Sequence, residues 1–103
     1  MKLIERHIQS IISLCKKYCV KRLYVFGSIL TDRFNDKSDV DFSIVFDNEK
    51  VNERSLDWAD LFFDLLHELE ALLGRKVDIV FDNNISNPIF RHELDETKRL
   101  IYG

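Results

Sequence analysis

The sequence has a single proline, three glycines and two cysteines, no basic excess, and no apolar run that nears a membrane span. Each shortage excludes something. Without a Pro-, Gly- or Ser-rich tract there is no linker to separate two cores, so residues 1–103 read as one domain. A helical membrane span needs ~18 or more apolar residues in a row. Lys2, Glu5 and Arg6 in the first turns do not fit a signal peptide, so the expected location is cytoplasmic. With 15 Lys and Arg against 18 Asp and Glu, the net charge is −3. That balance excludes broad binding to a phosphate backbone, so no direct nucleic-acid partner is expected. Cys15 and Cys19 would share one helix face, where they suit core packing better than a disulfide or a metal site.

What the chain does have is periodicity. Ile4, Ile8, Ile11, Ile12, Cys15 and Cys19 follow the spacing of an amphipathic helix. "RLYVF" then reads as a strand that Gly27 ends, and Asp39 to Phe46 as a second strand followed by a loop, "FDNEKVN". Ser55 to Leu73 is helical in pattern, with Gly74 placed as its C-terminal cap. The apolar positions of this helix span roughly 220°, wider than the ~100° a one-sided helix requires. Either it is unusually buried, or part of it (Trp58, Leu61, Leu65, Leu72) faces another chain. "KVDIVF" is a third strand. Asn87 and Pro88 signal a last helix, with Phe90, Leu94, Thr97 and Ile101 on one face. The order α-β-β-α-β-α predicts an α/β (α+β) domain: a small mixed sheet with helices packed mainly on one face.

Side chains alternate along a strand, so parity decides which residues meet. Val40, Phe42, Ile44 and Phe46 share one apolar face of the second strand; Asp39, Asp41, Ser43 and Val45 share the other. In the third strand Val77, Ile79 and Phe81 oppose Asp78 and Val80. If the two strands are neighbours with their apolar faces aligned, Asp39, Asp41 and Asp78 gather on one face. Two like charges 4 Å apart repel by about 4 kcal/mol at an effective dielectric of 20. Such a cluster implies either a raised pKa or a bound cation, and all-oxygen ligation suits Mg²⁺ or Mn²⁺ better than zinc.

Gly27 follows a strand directly, and Ser28 stands where a short turn begins. Free N–H groups at such a turn favour an anion, and glycine lets a phosphate approach closely. Gly27-Ser28, then Asp39-x-Asp41, then a later strand acid at Asp78 together resemble the DNA polymerase β-like nucleotidyltransferase superfamily. The chain is most similar to the minimal nucleotidyltransferase (MNT) domains that accompany HEPN-domain proteins. The resemblance implies AMP transfer from ATP with two Mg²⁺ ions, Mn²⁺ being an alternative metal. Asp39, Asp41 and Asp78 would be the catalytic metal ligands, and Gly27 and Ser28 would hold the nucleotide's phosphates. Many relatives carry Arg three residues after the Ser; Thr31 stands there in this chain, and Arg33 or Lys37 is the nearby substitute. The resemblance further implies an antitoxin that modifies a tyrosine of a HEPN ribonuclease toxin within a hetero-oligomer. The alternative is a non-catalytic module that neutralises its partner by occlusion through an apolar helix surface.

Overall fold

The computed structural model describes all residues, 1–103. Its elements are α1 (Lys2–Arg6), α2 (Ile8–Lys17), β1 (Val20–Phe26), β2 (Val40–Phe46), α3 (Asn48–Glu53), α4 (Trp58–Leu73), β3 (Val77–Phe81), α5 (Pro88–Thr97) and β4 (Arg99–Tyr102). Single 3-10 turns lie at Gly27–Leu30 and Asp82–Asn84. The four strands form one mixed sheet in the order β3-β2-β1-β4. β1 runs antiparallel to both β2 and β4, while β2 and β3 are parallel. A parallel pair needs a crossover, which α3 and α4 provide. No helix is long and apolar enough to cross a membrane.

The alternation sorts the residues as expected. Val40, Phe42, Ile44 and Phe46 are all buried, packed with Leu23 and Val25 of β1. Ile11 and Cys15 of α2 meet them, as do Leu61, Leu65, Leu69 and Leu73 of α4. The four leucines recur every fourth residue, so they form one stripe down the helix. Burying each stabilises the fold by about 1.5–3 kcal/mol. The Asp57 carboxylate caps α4 by accepting from the Ala59 N–H at 2.8 Å. At the other end Gly74 takes a left-handed φ of 66° and donates to the Glu70 carbonyl at 2.9 Å.

Several expectations are corrected. The last helix stops at Thr97, and Ile101 belongs to a fourth strand; Lys98 turns the chain extended so that β4 can satisfy the free edge of β1. The first helix breaks at His7 into two pieces. "FDNEKVN" contains a short helix, begun by Asp47 accepting from the Lys50 N–H at 3.2 Å. α4 begins at Trp58, because Ser55 has a positive φ of 53° that no helix residue adopts. Leu61 and Leu65 lie in the chain's own core, whereas Trp58 is exposed. Finally, the acid-bearing face is not wholly open. α5 crosses it, with Phe90 against Phe26 at 6.0 Å and the Lys98 ammonium over the Tyr24 ring at 4.2 Å.

Candidate active site

Strand register brings the predicted acids together. Asp41 is paired with Phe26 on its antiparallel side and with Asp78 on its parallel side. Asp39 sits two residues before Asp41, just outside the first residue of β2. All three acids therefore lie at one end of the sheet, where β1 ends and β2 and β3 begin. The consequence is electrostatic: burial pushes the Asp41 carboxyl above its usual range, and the charges of Asp78 and then Asp39 push it further. The three carboxylates feel one another without being closed around a point, since no three such side chains form a ready metal cage. An all-oxygen set with excess negative charge fits a hard divalent cation, provided the side chains rotate inward.

The Gly-Ser turn abuts this cluster. Gly27 has φ +82°, and a Cβ there would run onto the Asp41 carboxylate. Glycine is thus required twice, for the backbone angle and for the space. Thr31 closes the turn: its N–H and its hydroxyl both donate to the Ser28 carbonyl, at 2.9 and 2.8 Å. The Thr31 hydroxyl also accepts from the Arg33 N–H at 3.2 Å, which explains a threonine at this position. Gly27, Thr31 and Arg33 form one wall of a cleft of about 710 Å³, and Glu96, Lys98 and Arg99 stand across it. Of the two cations proposed near Thr31, the structure puts Arg33 on the cleft; Lys37 lies elsewhere in the loop.

The loop leading to Asp39 is held by the segment that joins α4 to β3. The Arg75 guanidinium donates to the carbonyls of Asn35 and Ser38 at 3.0 and 3.1 Å and lies over the Phe34 ring at 4.7 Å. The Val40 N–H donates to the Lys76 carbonyl at 3.1 Å, and the Glu70 carboxylate accepts from the Val77 N–H at 3.1 Å. Together these bonds set where β2 starts relative to β3, and hence where Asp41 meets Asp78.

A second polar cluster escaped the sequence reading. The fully buried Ser43 hydroxyl donates to Asp82 at 2.7 Å, and Lys98 donates to the same carboxylate at 3.0 Å. Arg91 binds the Asp82 carboxylate at 3.2 Å and also engages the Asp82 carbonyl and Asp95. Burial alone would raise the Asp82 pKa; the Ser43 hydroxyl, Lys98 and Arg91 overcome that and hold it below the usual carboxylate range. Parity contained the signal. Ser43 continues the face of Asp41, and Asp82 continues that of Asp78, so these residues form the next layer beneath the acids. The network ties α5 and Lys98, which lines the cleft, to the strands that carry Asp41 and Asp78. His67, in contrast, is exposed on α4 and joins no cluster.

Comparison with known proteins gives the family and the fold. The family model for polymerase beta nucleotidyltransferases matches residues 9–103. Two curated relatives come from Methanocaldococcus jannaschii. "Putative protein adenylyltransferase MJ1379" is 33% identical over 84% of this chain and 79% of its own length. "Putative protein adenylyltransferase MJ0128" is 36% identical over 84% and 80%. Among solved structures, a "putative minimal nucleotidyltransferase" superimposes with a TM-score of 0.73 at 24% identity, covering 95% of this chain and 92% of that one. A crystallised toxin-antitoxin with AMP-PNP gives 0.70 at 20% identity, covering 93% and 73%. At such identities the structures establish the shared fold, while the family model and the curated relatives establish the kinship. The chain belongs to the polymerase beta nucleotidyltransferase family and is a nucleotidyltransferase.

Proposed function

We propose that this domain transfers AMP from ATP to a hydroxyl of a partner protein, a tyrosine of a HEPN ribonuclease toxin, and thereby acts as an antitoxin. The observation that carries the reading is the pairing of Asp41 with Asp78 beside Gly27, with Asp39 two residues away. Support for a protein acceptor comes from the names of the curated relatives, and support for ATP and a toxin partner from the toxin-antitoxin fold neighbour with AMP-PNP.

In this reading Asp39, Asp41 and Asp78 hold two Mg²⁺ ions, or Mn²⁺. Bound there, the metals would stabilise the attacking and leaving oxygens of an in-line displacement at the α-phosphate. Gly27 lets a phosphate come close to the backbone, and Ser28, whose carbonyl is already engaged by Thr31, offers its hydroxyl as a donor. Arg33 lies on the same cleft and supplies positive charge. The acceptor hydroxyl attacks phosphorus, pyrophosphate leaves, and the hydroxyl proton is lost to solvent or a nearby carboxylate.

The test uses the purified chain with its co-encoded neighbour, ATP and Mg²⁺. Mass spectrometry should find whole AMP additions on a neighbour tyrosine, abolished by Asp39→Asn with Asp41→Asn. Unmodified neighbour, together with undiminished neutralisation by that double variant, would replace transfer by occlusion.

A further inference from the structure

At the carboxyl ends of the parallel strands β2 and β3 the core opens into a slot of about 220 Å³. Phe46 and Phe81, the last residues of the two strands, border it with their ring centroids 6.1 Å apart. Trp58, which opens α4, lies 5.5 Å from Phe81 at an interplanar angle of 86°, so these two walls meet nearly at a right angle. A flat group lying along either ring meets the other edge to face, and aromatic rings favour both contacts. Three carboxamides complete the slot: Asn48, shortly after β2, and Asn83 and Asn84, shortly after β3. None of the three bonds to another part of the chain, whereas Asn35 and Asn87 use theirs to hold a loop and cap a helix.

These walls select a ligand by shape and by edge. Aromatic sides with a few placed polar groups are the usual make-up of a small-molecule site, and the crevice beyond the carboxyl ends of parallel strands is a usual place for one. A water takes up ~30 Å³ in the liquid, so the slot has room for about seven, enough for a purine ring. A carboxamide sets an acceptor beside a donor, the complement of the N6–H and N7 edge of adenine. An aliphatic side chain from a partner would instead cover the carboxamides and leave them unpaired. A polar groove adjoins the slot, sharing Phe46, Asn48 and Asn83 with it and lined further by Lys21, Asp47 and Glu49. Carboxylates accept hydrogen bonds from ribose hydroxyls, and two of them against one ammonium oppose a phosphate.

We infer that this end of the sheet binds a free purine ribonucleoside, with the base between Trp58 and Phe81, its edge on the asparagines, and the ribose against Asp47 and Glu49. The inference does not rest on the transfer chemistry. Phe46 lies five residues beyond Asp41 along β2, about 16 Å at ~3.3 Å per residue, and on the opposite face of the sheet. A nucleoside held there leaves the acid cluster and the Gly27 cleft uncovered.

The single tryptophan makes the test direct, because it gives one indole N–H signal in a nitrogen-correlated NMR spectrum. The intact, isotope-labelled chain is titrated with adenosine in the presence of EDTA. The Trp58 indole and the side-chain amides of Asn48, Asn83 and Asn84 should move together and saturate, while Gly27 and Ser28 stay still. Asn83→Ala with Asn84→Ala, which breaks no bond within the chain, should lower the affinity by about tenfold or more, the scale of a lost carboxamide–adenine pair. Benzene, flat but without an edge to pair, should bind at least about tenfold more weakly than adenosine. AMP and 2′-deoxyadenosine should each bind more weakly too, the first repelled by the carboxylates and the second short of a hydroxyl. Equal binding of benzene, or no effect of the double substitution, would leave only an apolar dent and overturns the proposal. AMP binding as tightly as adenosine, or shifts that saturate at Gly27 and Ser28 in place of Trp58, overturns it as well, assigning the ligand to a phosphate site or to the catalytic cleft.

Discussion

Replacing Asp41 by asparagine should destroy transfer and yet stabilise the fold. Neighbouring strands lie ~4.8 Å apart, so the paired carboxylates of Asp41 and Asp78 sit about 6 Å from each other. At an effective dielectric of 20 their repulsion is about 3 kcal/mol. Asp78 is exposed, and solvent screening reduces that severalfold, to about 1 kcal/mol. Asparagine keeps the shape and removes this term together with the cost of holding a charge at a half-buried site. For a domain of this size, 1 kcal/mol corresponds to a rise in Tm of roughly 4–8 °C. The sign with pH follows from the raised Asp41 pKa. Wild type is penalised while Asp41 is ionised, so the advantage of Asn is complete at neutral pH and shrinks as acid protonates Asp41. Mg²⁺ supplies the complementary arm. It should raise the Tm of wild type by relieving the same repulsion, at about 1.4 kcal/mol when present at ten times its Kd. Asp41→Asn should respond much less. Differential scanning calorimetry with and without Mg²⁺, over a pH series, measures all of this. A lower Tm for Asp41→Asn at neutral pH, or equal Mg²⁺ shifts in the two proteins, would refute the reasoning.

Other perturbations probe the neighbouring layers. Gly27→Ala forces a Cβ onto the Asp41 carboxylate at a positive φ, so it should lose activity and about 1–3 kcal/mol of stability by urea unfolding. Lys98→Met removes one partner of the buried Asp82, which keeps Arg91 and Ser43, and should cost about 1–3 kcal/mol, with Lys98→Arg recovering much of it in thermal melts. Because Asp82 is held below its ordinary pKa, its contribution is complete above the unfolded-chain value of about 4 and lost as pH falls through the folded one. Acid unfolding followed by circular dichroism should therefore be shallower in Asp82→Asn. Burial pushes the Cys15 thiol up to about 12, so a thiol reagent should label it at neutral pH only after unfolding.

The sequence alone determined the strand faces, since alternation is a local rule, and predicted the acid cluster on the condition that β2 and β3 pair with their apolar faces aligned, which the assembled sheet supplies. It also marked Gly27, the caps at Asn87 and Gly74, and the chain's Gly-Ser and Asp-x-Asp pattern. It did not determine that residues 99–102 would leave the helical pattern, because the edge of β1 that draws them into β4 exists only once the sheet is assembled. The network's cations were hidden for the same reason: β2–β3 pairing brings Ser43 to Asp82, but only the packing of α5 brings Arg91 and Lys98, up to 55 positions from Ser43, onto them. The breadth of α4's apolar arc was legible, but its division was not. Packing against the sheet took Leu61, Leu65, Leu69 and Leu73 and left Phe63 in solvent, because a helix can turn only one side to one sheet, whereas Trp58 shares the leucines' side and stays exposed in the helix's first turn, its ring against Phe81.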